Sequence, residues 1–143
     1  DWILAAEATP MTGVTLFSRW RLDSGTGAIR RLEAGGDFYT SRVNGYVRYL
    51  QEDQSPTGTK FKGLDFRGYV WATKHWGASI YGVRDIDAGQ WRRRDIGVVY
   101  RDDCVQVEVV YRRDQTFNRT LGPSNSVVLR LTLATLGNSG YRP

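Results

Sequence analysis

Apolar and polar side chains alternate along most of this chain with a period of two. Val127, Leu129, Leu131 and Leu133 fall on one face, and Ser126, Val128, Arg130 and Thr132 on the other. Val105, Val107, Val109 and Tyr111 alternate in the same way with Gln106, Glu108 and Arg112, and Ile96, Val98 and Tyr100 with Asp95, Gly97 and Arg101. The pattern recurs at Leu64–Ala72, Val43–Tyr49, Leu32–Phe38 and Val14–Trp20, and more weakly at 76–86 and 2–9. No apolar series at helical spacing lasts three turns. A period of two repeated in this way predicts about nine strands in an all-β, antiparallel up-and-down meander without helices.

The connections sort into two kinds that interleave. Short turns are expected at Thr9–Thr12, Ser41–Asn44, Lys74–Gly77 and Arg101–Cys104. Longer polar loops are expected at Asp23–Ala28, Glu52–Gly63, Asp85–Gln90 and Asp114–Asn125. Transmembrane barrels sort their connections like this, with short turns on the periplasmic side and longer loops outside. The strands run to about ten residues, the length a tilted strand needs to cross a bilayer. Trp20, Trp76, Trp91 and Tyr100 stand near strand ends, where the aromatic girdles of such a barrel fall. A soluble antiparallel sheet with one wet face alternates too. The alternative is therefore a soluble lipocalin-like barrel holding a hydrophobic ligand. The two differ in which face is turned inward.

Composition narrows the field. A chain of 143 residues and 16.2 kDa is one domain or part of a larger one. With 41% hydrophobic and 24% charged residues it is too apolar for a disordered chain. No stretch approaches the roughly 18 apolar residues of a membrane helix. Asp1-Trp2-Ile3-Leu4 carries no Met, basic segment or cleavage site, so the chain is expected to be a portion of something longer. One Cys excludes an internal disulfide scaffold, and one His a multi-histidine metal centre. The net charge of +5 comes from 17 Arg and 3 Lys and suggests an anionic partner. The arginines are spread over nearly every strand without a nucleic-acid-binding signature, so no nucleic acid is expected.

Catalytic chemistry has little to stand on. His75 lies in a turn signal, and no Ser sits in a nucleophile elbow, so neither an enzyme nor a cofactor is expected. A barrel enzyme would need a nucleophile beside a base. Asp102-Asp103 and Asp85/Asp87 are acidic pairs suited to shaping turns or to holding a cation. Gly35-Gly36 inside a strand pattern suggests a bulge or bend. Arg92-Arg93-Arg94 opens a strand after a long loop, where guanidiniums would meet lipid phosphates or simply stay solvated. Arg19, Arg21, Arg48, Arg67 and Arg112 fall on the polar face, where they would line a lumen. Cys104 sits in a short turn. It is either a small half-buried hydrophobe or one half of a disulfide to a cysteine outside this chain.

Particular stretches resemble the C-terminal end of the LPS-assembly protein LptD (organic solvent tolerance protein) family, in its alphaproteobacterial form. They are Trp91-Arg92-Arg93-Arg94, Gly97-Val98-Val99-Tyr100-Arg101-Asp102-Asp103-Cys104 and Val109-Val110-Tyr111-Arg112-Arg113. Further on come Phe117-Asn118-Arg119-Thr120-Leu121-Gly122-Pro123-Ser124 and Ser126-Val127-Val128-Leu129-Arg130-Leu131-Thr132-Leu133-Ala134-Thr135-Leu136-Gly137. Arg19-Trp20-Arg21-Leu22-Asp23 and Arg30-Arg31-Leu32-Glu33 fit as well. The resemblance implies that residues 1–143 are a C-terminal part of a larger outer-membrane barrel in a Gram-negative bacterium. The periplasmic N-terminal domain and first strands would be absent, and the portion alone would be an open, curved sheet. It implies a partner lipoprotein like LptE, contact with outer-membrane lipid, and a periplasmic bridge that delivers lipopolysaccharide through the missing domain. The barrel would insert that lipid into the outer leaflet. Residues 126–136, including Ser126, Val127, Val128, Leu129, Arg130, Leu131, Thr132 and Leu133, match the family's last strand, one side of its lateral gate. The family joins its barrel to the N-terminal domain through disulfides, often from adjacent cysteines. Cys104 alone leaves one bridge.

Overall fold

The structure, a computed structural model, describes residues 1–53, 60–115 and 122–133. It is all-β. The strands are β1 (Trp2–Met11), β2 (Val14–Leu22), β3 (Ile29–Tyr39), β4 (Val43–Glu52), β5 (Phe61–Trp71), β6 (Trp76–Asp85), β7 (Gln90–Arg101), β8 (Val105–Asp114) and β9 (Ser124–Leu133). Each pairs antiparallel with the next, giving one open sheet in the order β1 to β9. The two weakly patterned stretches, 2–9 and 76–86, are full strands. Glycine-permitted turns close three of the hairpins, with φ of 82° at Gly13, 70° at Gly27 and 64° at Gly89.

Residues directly opposite in an antiparallel ladder share a face, so the register sorts the side chains. One row runs Val43, Val70, Ala78, Val98, Val109, Leu129 from β4 to β9. The next runs Gly45, Gly68, Ile80, Ile96, Tyr111, Val127. Trp20, Trp76, Trp91 and Tyr100 stand on this apolar face. The opposite face carries Tyr46, Arg67, Tyr81, Asp95, Arg112 and Ser126 in one row. Every face assignment expected from the alternation that falls within a ladder matches it; Ala72 lies beyond the end of β5.

Packing between the faces is unequal. On the apolar face Ile96 is 66% exposed, Val98 55% and Leu129 70%. The charged face holds the buried side chains of β6 to β8: Ser79, Asp95 at 7%, Glu108 at 3%, Val99 and Val110. The charged side chains are thus crowded together, while the aliphatic ones stand free. A soluble monomer rarely leaves an apolar surface of this extent uncovered.

Three expectations change. The ladders on both sides of Gly35-Gly36 run through without a register shift, so no bulge lies there. These glycines leave room for neighbouring side chains: a Cβ on Gly35 would stand 3.0 Å from Phe17 Cζ, and one on Gly36 2.8 Å from Leu16 Cδ2. The turn expected at Thr9–Thr12 narrows to 12–13, because β1 runs on to Met11; register shifts lie instead between Ala8 and Met11, between Arg21 and Leu22 and, in the β6–β7 ladder, between Val83 and Arg84. The third change concerns loop length. The connection between β6 and β7 spans only 86–89, no longer than the 72–75 turn between β5 and β6. The interleaving of short and long connections is therefore less strict than the polar composition of Asp85–Gln90 suggested.

Candidate functional site

The charged face is where ionisable side chains converge. Glu108 on β8 uses both carboxylate oxygens. Oε1 accepts from Ser79 Oγ at 2.6 Å and Oε2 from Arg130 Nη1 at 2.7 Å. Ser79 reaches Glu108 across β7 because Gly97 stands between them; a Cβ there would sit 2.5 Å from Ser79 Oγ. Asp95 on β7 accepts from Arg93 Nη2 at 2.7 Å and from Arg112 Nε at 3.2 Å. Buried carboxylates need such partners, since an unpaired charge out of water is costly.

Arginine and aromatic side chains extend this network across the sheet. The Arg67 and Arg93 guanidiniums lie 5.0 and 4.9 Å from the Tyr81 ring centroid. Arg48 lies 4.5 Å from that of Tyr46, and Arg19 5.6 Å from that of Phe17. These contacts hold each cation beside an aromatic ring without neutralising it. Arg19, Arg48 and Arg67 make no ion pair among the described residues. A crevice of about 10 Å³ among Arg67, Ser79, Tyr81, Asp95, Glu108 and Arg130 has room for one water and not for an organic substrate. The charged face is therefore suited to attracting anions along an open surface.

Most of the expected arginines gather here. Arg19, Arg21, Arg48, Arg67, Arg93 and Arg112 all lie on the charged face. The run 92–94 is divided. Arg92 stands at the β6–β7 shift and pairs with Asp85 at 2.7 Å, with Phe61 beneath it. Arg93 joins Asp95, and Arg94 faces the opposite way, 5.8 Å from the Trp91 ring centroid. The run is thus three separate sites. Asp95, Glu108, Ser79 and Tyr81 were not singled out from the sequence. For Asp95 and Glu108 the one sequence signal is an acid in mid-strand on the polar face; Ser79 and Tyr81 carry none.

Turns hold the remaining candidates. Cys104 is exposed and unpaired in the 102–104 turn between β7 and β8. Beside it Asp102 Oδ1 accepts from the Asp103 backbone N–H at 2.7 Å, so this acidic pair shapes the turn. Asp85 accepts from the Ala88 N–H at 3.1 Å in the same way. His75 is exposed, with Nδ1 3.0 Å from the Arg101 carbonyl. In the 23–28 loop the Gly25 N–H, Arg30 and the Thr26 N–H hold the Asp23 carboxyl down at about 2. No cluster of three metal-ligating side chains occurs among the described residues.

The expected gate residues Ser126 to Leu133 lie within β9, which pairs with β8 and has no second neighbour among the described residues. Positions 134–136 of that expected strand and motif residues 117–121 lie outside the described residues. A scan against protein-family models finds no match, and neither does a search of the curated proteins.

Proposed function

We propose that this chain is part of an outer-membrane barrel of the LPS-assembly type, which receives lipopolysaccharide and inserts it into the outer leaflet. The observation that carries this reading is the inverted packing of the sheet. Side chains such as Leu129 and Val98 stand free on one face, while Asp95 and Glu108 are packed on the other. A membrane barrel meets acyl chains with the first face and encloses water with the second. The soluble lipocalin-like alternative needs the reverse, a closed apolar centre.

The rest of the mechanism builds on that orientation. Arg19, Arg48 and Arg67 offer the phosphates of the sugar head an attractive, wet path. β9 forms one side of a seam through which the lipid leaves sideways. Its free edge would have its hydrogen bonds completed by a first strand from elsewhere in the parent protein, since unpaired backbone is costly in lipid. A lipoprotein partner accompanies the barrel, and the periplasmic bridge delivers the lipid through the N-terminal domain that the resemblance implies. Cys104, in a turn on the periplasmic side, supplies a disulfide to that domain.

Refolding tests the reading. The chain diluted from urea should show a strand-type circular dichroism spectrum in detergent micelles or phosphatidylcholine vesicles, and aggregate in plain buffer. A monodisperse, β-rich chain in detergent-free buffer would contradict it.

A further inference from the structure

The apolar face is not uncharged. Lys62 on β5, Arg84 on β6, Arg94 on β7 and Arg113 on β8 fall on it by register. Arg84 stands opposite Leu64, Arg94 opposite Gly82, Arg113 opposite Arg94 and Lys62 opposite Gln51. All four sit at the end of the sheet where β2, β4, β6 and β8 finish and β3, β5, β7 and β9 begin. The opposite end of this face carries Trp76, Tyr100, Val107 and Leu131 instead.

Two features separate this group from a scattered solvated surface. First, every paired strand Asp and Glu lies on the other face, so no ladder neighbour of the group supplies a counter-charge. None of the four makes an ion pair among the described residues. On the charged face, by contrast, carboxylates hold Arg93, Arg112 and Arg130. Second, the group has a built centre. The Trp91 ring packs edge-on against Phe66, with centroids 6.1 Å apart and planes at 84°. Arg84 and Arg94 both stand against its indole, at 5.4 and 5.8 Å from the centroid. Gly82 lies buried beneath, where a Cβ would meet Phe66 at 2.6 Å and Trp91 at 3.0 Å. The rings thus close over the glycine and carry the two guanidiniums at the edge of the apolar band.

We propose that Lys62, Arg84, Arg94 and Arg113, set around Trp91, bind the phosphorylated headgroup of a lipid in the leaflet at that end of the sheet. This rests on the membrane orientation proposed above. Guanidiniums suit the task because they give phosphate oxygens paired, charge-assisted hydrogen bonds. The Ile80, Ile96, Tyr111 and Val127 row lies immediately below and would receive the acyl chains of the same molecule. The site is on the outside of the barrel wall, distinct from the arginines of the charged face. It would hold a phosphorylated lipid against the wall once that lipid is in the leaflet.

Vesicle partitioning of the full chain tests this. The probes are phosphatidylcholine vesicles, the same vesicles containing bisphosphorylated lipid A, and the same containing its fully dephosphorylated form. Wild-type chain should enter all three and prefer the bisphosphorylated vesicles. Each cation near an anionic surface contributes on the order of fivefold, so Arg84→Gln/Arg94→Gln should reduce that preference by roughly twenty-fivefold. Arg42→Gln/Lys74→Gln, which removes two charges from the opposite end, should keep it. High salt should weaken the wild-type preference, which keeps the proposal testable if the Gln variant fails to fold. Free inorganic phosphate at matching concentration should not displace the lipid; displacement would overturn the lipid assignment. Equal entry of wild-type chain into all three vesicles would overturn this proposal alone. Failure to enter any of them would overturn the membrane reading and this proposal with it.

Discussion

Glu108 and Arg130 tie β8 to β9 through one short ion pair on the charged face, with Ser79 satisfying the second oxygen. Hydrogen bonds to a charged group contribute about 1.5–3 kcal/mol, and a buried carboxylate stripped of its cation costs more. Arg130→Ala should therefore lower the urea stability of the detergent-folded chain by roughly 1–3 kcal/mol. Glu108→Gln in the same background should restore part of it, because the amide needs no counter-ion. A double-mutant cycle checks this, and a coupling indistinguishable from zero would show that solvent already satisfies the pair. Gly97 belongs to the same scale. It separates Ser79 from Val109 and Val110, and any larger residue there displaces the serine from the carboxylate.

Between strands, what was legible in the sequence depended on which interactions are local. A period of two reports the face of each side chain, so Val98, Leu129 and Arg67 could be placed before any ladder was known. Register shifts depend on how two strands meet, so nothing in Arg92-Arg93-Arg94 announced that the run would be divided. The Ser79–Glu108 contact spans 29 residues and crosses an intervening strand, and no local pattern reports such a pair. Loop composition misled at 86–89, where the polar residues Asp85, Asp87 and Gln90 suggested a longer loop and four residues make a tight connection. The turn 102–104 was placed correctly, and its exposed thiol has a direct test. A non-reducing immunoblot of the native protein from cell envelopes should show a mobility shift that reducing agent and Cys104→Ser both abolish. Identical mobility with and without reductant would leave Cys104 as a free surface thiol.

For the whole molecule, the inverted packing has to be reconciled with the cost of an open sheet. Among the described residues only Trp71, Val99 and Val110 form a buried apolar core, too little to hold 143 residues together in water. On the proposed orientation, lipid around the aliphatic face would supply the missing burial, and closure with further strands would remove the free edges of β1 and β9. The same orientation places one set of cations in the wet interior and another on the outer wall. Both functional proposals therefore depend on which face meets acyl chains. Single-cysteine labelling measures this. In the Cys104→Ser background, a fluorophore attached at Val98→Cys or Leu129→Cys should be quenched by brominated acyl chains and shielded from aqueous iodide. A fluorophore at Arg48→Cys should show the opposite behaviour. Iodide quenching at 98 and 129 with no effect of brominated lipid would contradict the orientation from which every functional statement here follows.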